Sequence, residues 1–108
     1  MLEEYGDYIK GKVIRDILSN GKVDHRLISK AIPDFDSAID VRDYVRHMVV
    51  EGYLTGLVFI IDHKTGRVKY ISYKNVGLTD KAFALDAREK EDRRRRRERL
   101  WNERYMTT

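Results

Sequence analysis

Five consecutive arginines, Arg93, Arg94, Arg95, Arg96 and Arg97, are the densest chemical signal in this 108-residue chain. Guanidinium groups bind phosphate oxygens, and each phosphate neutralised on duplex DNA adds about 0.9 to the slope of log affinity against log salt. The same run also has a local use. Glu89–Arg93, Glu91–Arg95 and Asp92–Arg96 are acid-first pairs four residues apart, each worth about 0.2–0.5 kcal/mol on a helix. Five successive residues spread around the whole helical circumference, so they make no single stripe. Phosphate binding and a solvated helix both stay open for this run.

Groups suited to catalysis are sparse. The chain has no cysteine, which removes thiol nucleophiles, disulfides and thiolate metal sites. His25, His47 and His63 are scattered without metal-ligand spacing. Asp34 and Asp36 read as the turn before a helix rather than as paired carboxylates. Ser29 and Ser37 lack the flanking glycines of a nucleophile elbow. Gly6 and Gly11 do not make a phosphate loop. Most tyrosines suit the edges of a core; Tyr70 and Tyr73, on a strand, would be the exception if single strands were bound. The expectation is a protein that is not an enzyme and uses no metal or cofactor.

Net charge is +4, and its location matters more than its size. Residues 1–87 hold 13 Lys/Arg and 13 Asp/Glu, whereas residues 88–108 hold 9 and 5. A neutral domain with a basic tail is a weaker polyanion signature than a basic domain. No apolar run approaches the ~20 residues of a membrane helix. The start, Met1-Leu2-Glu3-Glu4, lacks the basic and apolar regions of a signal peptide, so a cytoplasmic location without membrane contact is expected.

The elements that must position these groups follow from apolar spacing. Tyr5, Ile9, Val13, Ile14, Ile17 and Leu18 recur at helical intervals, and Asn20-Gly21 supplies a stop. Asp24 can cap a short second helix with Leu27, Ile28, Ala31 and Ile32, which Pro33 ends. Pro33 to Asp36 form a turn, with Phe35 packing inward. Asp36 or Ser37 can cap a third helix whose inner stripe is Val41, Tyr44, Val45, Met48 and Val49. Gly52 closes it.

The period then changes. One strand is expected from Tyr53 to Ile61, and a second from Val68 to Tyr73 with Val68, Tyr70 and Ser72 on one face. Asp62 to Gly66 is the loop of a β-hairpin. Asn75-Val76-Gly77 breaks the strand. Thr79 can cap a last helix running to about Tyr105, roughly 40 Å long and more than a domain of this size can cover. Its first part, with Ala82, Phe83, Leu85 and Ala87, is expected to pack on the core.

Two stretches in this order, Val41 to Leu54 and Gly66-Arg67 followed by a strand and Leu78-Thr79-Asp80-Lys81-Ala82, resemble the third helix and the wing of the winged helix-turn-helix superfamily, particularly regulators of the PadR and MarR type. The resemblance implies an α+β fold, a winged helix-turn-helix of three helices plus a β-hairpin wing over residues 1–82, with a long charged C-terminal helix over 83–108. It implies sequence-specific binding of double-stranded DNA by a transcriptional regulator. The third helix of that family enters the major groove and the wing touches the backbone or minor groove. The positions carried over are Ser37, Ala38, Asp40, Arg42 and Arg46 on the helix, and His63, Lys64, Thr65 and Arg67 on the wing. The C-terminal helix commonly makes a homodimer, for which Phe83, Leu100, Trp101 and Tyr105 are the candidate contacts.

The chain departs from the family at Asp34 to Asp43, which carries four acids and one base. Carboxylates cost affinity against phosphates. Asp36 can cap, and acids in the first turn suit the helix dipole. Asp40 or Asp43 could accept a hydrogen bond from cytosine N4. The alternative is a protein-interaction module that turns the acidic face of Asp36, Asp40 and Asp43 towards a protein partner, such as a polymerase, a replication factor or a viral assembly protein.

Overall fold

The computed structural model describes residues 2–33 and 35–106, with side chains for 6–33 and 35–102. Asp34, named in the turn, lies outside the described residues, as do the side chains of Tyr5 and Tyr105. The architecture is α+β. Its order is α1 (Leu2–Asn20), α2 (His25–Ala31), α3 (Ala38–Val50), β1 (Leu54–Thr55), β2 (Val58–Ile61), β3 (Val68–Ser72), β4 (Gly77–Leu78) and α4 (Asp80–Met106). No helix among the described residues is long and apolar enough to cross a membrane.

The helix ends obey local chemistry. Gly21 follows α1 with φ +73 and Gly52 follows α3 with φ +87, a region where a side chain would be strained. Asp24 caps α2 by accepting the Leu27 amide at 3.1 Å. Ser37, rather than Asp36, caps α3. Thr79 Oγ1 accepts the Ala82 amide at the start of α4.

One core joins all four helices to the hairpin. Ile9, Val13, Ile14 and Ile17 line α1, and Val41, Val45 and Met48 line α3. Leu54, Val68, Ile71, Ala82 and Leu85 close it from the other side. Tyr44 and Val49, expected on the same stripe, are half-buried against it. Phe35 is also half-buried, meeting the Tyr44 ring edge-on at 5.3 Å.

The strands differ from the sequence-based expectation in three ways. The stretch from Tyr53 to Ile61 is two strands, because Gly56 turns the chain at φ +79. The Asn75–Gly77 break is itself the approach to β4, which pairs antiparallel with β1 through Leu54–Leu78 and Thr55–Gly77. Finally, the β2–β3 register shifts between Ile60 and Ile61, leaving Lys69 as an extra residue on β3. That bulge lets Val68 and Ile71, three residues apart, both face the core. Tyr70 is turned to solvent instead of sharing the face of Val68.

Helix α4 lies on α1 for its first turns only. Ala82, Leu85 and Asp86 are buried, Arg88 pairs with Asp7 at 2.9 Å, and Glu89 packs on Gly11. Phe83 and Ala87, expected to pack on the core, are exposed, because only one stripe of α4 meets α1. From Arg94 to Asn102 every described side chain is exposed. The molecule measures 62 × 28 × 24 Å with a radius of gyration of 16.3 Å, against about 13 Å for a compact chain of this length.

Candidate nucleic-acid interface

Helix α3 presents its outward side through the way its N-terminal turn is built. Ser37 Oγ accepts the Asp40 amide at 3.4 Å, and Asp40 Oδ2 accepts the Asp36 amide at 3.1 Å. The hairpin then locks onto this turn. Arg67 donates from Nη2 to Asp40 Oδ1 and from Nε to Asp43 Oδ2 at 2.7 Å. Asp43 Oδ1 accepts the Val68 amide at 2.9 Å. Arg67 holds the Asp40 carboxyl below its ordinary range, and the two aspartates raise the guanidinium above its own. Two residues expected to reach a ligand, Asp40 and Arg67, therefore hold each other.

The remaining outward groups of α3 lie three to four residues apart, on neighbouring turns. Ile39, Arg46 and Val50 are exposed, Val50 at 79%. Arg42 is half-buried, with its charge close to the His25–Tyr73 pair described below. Ala38 is half-buried at the first turn. His47 pairs with Glu51 at 2.7 Å.

At the hairpin tip, Asp62 Oδ1 accepts the Lys64 amide at 2.8 Å and Thr65 Oγ1 accepts the Arg67 amide at 3.3 Å. These bonds fold a tight loop with Gly66 at φ +71. His63, Lys64 and Thr65 are left exposed on it. Neither Arg46 nor Lys64 forms an ion pair among the described residues.

The arginine run divides between the two uses read from the sequence. Glu91 pairs with Arg94 at 2.7 Å and with Arg95 at 3.4 Å. Arg93 Nε donates to the Glu89 carbonyl at 3.4 Å instead of to its carboxylate. Among the described residues, Asp92 and Arg96 do not pair, and Arg96 and Arg97 are exposed without an ion pair. Phe83, Leu100 and Trp101, the described members of the expected dimer contact, are all exposed. Phe83 and Trp101 are about 27 Å apart along the helix, so they make no single patch within one chain.

A pair that sequence reasoning missed joins the start of α2 to the residue that follows β3. His25 Nε2 lies 2.8 Å from the Tyr73 hydroxyl, 48 residues away. Burial, then the nearby Arg42 charge, push His25 down to about 4. Burial pushes the Tyr73 hydroxyl up. The unfolded chain takes a proton on His25 near its ordinary value of 6.5, while the folded chain refuses it until about 4. Stability tied to His25 is therefore full above pH 6.5 and falls as pH drops towards 4. Between pH 7 and 4.5 the loss should be about 1–2 kcal/mol, after discounting for partial exposure. Urea unfolding of the protein and of His25→Gln at the two pH values checks this; an unchanged pH dependence in the variant would rule out His25 as the source.

Among the described residues, no three His, Asp or Glu side chains gather where they could hold a metal ion. The chain matches no known family model, no curated protein and no solved structure.

Proposed function

We propose that this chain is a winged-helix protein that binds double-stranded DNA as a transcriptional regulator, with α3 in the major groove and the hairpin tip on the backbone. The observation that supports this is the Arg67 clamp. It fixes the hairpin beside the first two turns of α3 and partly neutralises Asp40 and Asp43, the carboxylates that would otherwise repel phosphate. Arg46 and Lys64 are left as outward cations on the two elements that the clamp joins. Ser37, Ala38 and Arg42 flank the helix contact; His63 and Thr65 flank the tip. Arg93 to Arg97, on the overhanging part of α4, add sequence-independent bonds to phosphate.

A duplex titration of the intact protein at several salt concentrations tests this reading, alongside a variant with Arg93 to Arg97 replaced by glutamine. The expected result is salt-dependent binding by both, with the slope of the variant smaller by about 0.9 for each phosphate that no longer meets an arginine. No binding by the intact protein at low salt would reject the proposal. The protein-partner alternative draws support from Val50, whose large exposure on α3 suits an apolar contact. It draws less from the acidic face, because Arg67 already engages two of its aspartates.

A further inference from the structure

The β2–β3 hairpin has two outer edges, and they are treated differently. On β3, Asp43 takes the Val68 amide and Lys69 sits in a bulge. On β2, the outer edge pairs with no strand among the described residues. Residues 52–61 contain no charge at all. Edge strands are ordinarily blunted by lysine, proline or a bulge, and β2 carries none of these.

The pleat shows which groups the edge offers. The Asp62 amide points inward, donating to the Arg67 carbonyl at 2.9 Å. By alternation, Phe59 and Ile61 aim their amides and carbonyls away from β3. Val58 and Ile60 stand 61% and 53% exposed on the outer face, and Tyr70, directly opposite Ile60, is 58% exposed.

We propose that β2 pairs antiparallel with β2 of a second copy, about a twofold axis through Ile60, to make a four-stranded sheet. Phe59 of each chain then exchanges both backbone hydrogen bonds with Ile61 of the other. Ile60 meets its own copy in the close, non-hydrogen-bonded position, with Cα atoms about 4.5 Å apart. The two Ile60–Tyr70 pairs join into one apolar row across the axis. A second copy fits because an uncharged strand, apolar on both faces, has nothing to repel its own twin and no charge with which to select a charged one. One edge of a four-residue strand makes a small contact, at the weak and transient end of interface sizes, so the dimer should populate only at high protein concentration.

Sedimentation velocity of the full chain over a wide concentration range tests this. The average mass should climb towards twice that of the chain. Ile60→Lys and Ile60→Glu, each placing like charges directly opposite at the axis, should each weaken dimerisation by about tenfold or more. An equimolar mixture of the two should restore it, which a merely apolar contact would not do. Both substitutions fall on an exposed position, and circular dichroism checks that each variant is folded. Should either misfold, amide exchange of the wild-type protein decides: Phe59 and Ile61 should exchange more slowly as concentration rises. A wild-type chain that is monomeric throughout would overturn the proposal. So would a dimer that survives Ile60→Lys, a mixture that stays monomeric, or a dimer abolished by Leu100→Ala with Trp101→Ala while the Ile60 variants keep it.

Discussion

Replacing Gly56 with alanine is expected to cost about 3 kcal/mol or more, by far more than the same change at Gly66. Both glycines have positive φ, +79 and +71. Conformational strain alone is worth roughly 1–2 kcal/mol at either position. The difference lies in what a new methyl would meet. At Gly66 there is open space, whereas at Gly56 the added carbon would come 1.9 Å from the Asn75 carbonyl oxygen and 2.8 Å from its carbon. Those atoms belong to the backbone approaching β4, which cannot retreat without breaking the β1–β4 pair. Denaturant titration of both variants reads this directly. For a domain of this size, a loss of about 3 kcal/mol corresponds to a Tm lower by roughly 10 °C or more. Equal midpoints for the two variants would mean that the Asn75 carbonyl does not press on Gly56.

The second large effect concerns DNA. On the proposed reading, in which Arg46 reaches a base edge and Lys64 a phosphate, Arg46→Ala combined with Lys64→Ala should weaken duplex affinity by roughly tenfold to a hundredfold. Both side chains are exposed and form no ion pair among the described residues, so thermal stability should hardly move. The two single changes should differ in kind. Lys64→Ala alone should lower affinity equally for all sequences, while Arg46→Ala alone should also relax sequence preference. Fluorescence anisotropy on a cognate and a scrambled duplex separates them. A double variant that binds like the parent would remove α3 and the hairpin tip from the interface.

The helices are legible in the sequence because the signals for them are local. A 3.6-residue period puts Val41, Val45 and Met48 on one face, and Asp24 and Thr79 announce helix starts through side chains that cap within three residues. The hairpin itself is legible from β-branched runs around Asp62 to Gly66. The split at Gly56 is not, because a glycine in an apolar run looks the same whether the strand continues or turns. Nor is the bulge at Lys69, which shifts the period by one residue and so turns Tyr70 outward. The Arg67 bonds to Asp40 and Asp43 span 27 and 24 residues. No periodicity reports a contact of that range, so a cluster that reads as an acidic surface is half of an internal clamp. The exposure of Phe83 escapes for a simpler reason: an apolar residue near the start of a helix suits the core until the direction of that helix is known.

The overhang of α4 also governs how the size of this molecule is perceived. A body 62 Å long and under half as wide drags through solvent like a rod. It elutes ahead of a sphere of the same 12.8 kDa and tumbles more slowly end over end than about its long axis. A single chain can thus pass for two on a gel-filtration column, and only a measurement of mass itself, independent of shape, can count the copies present.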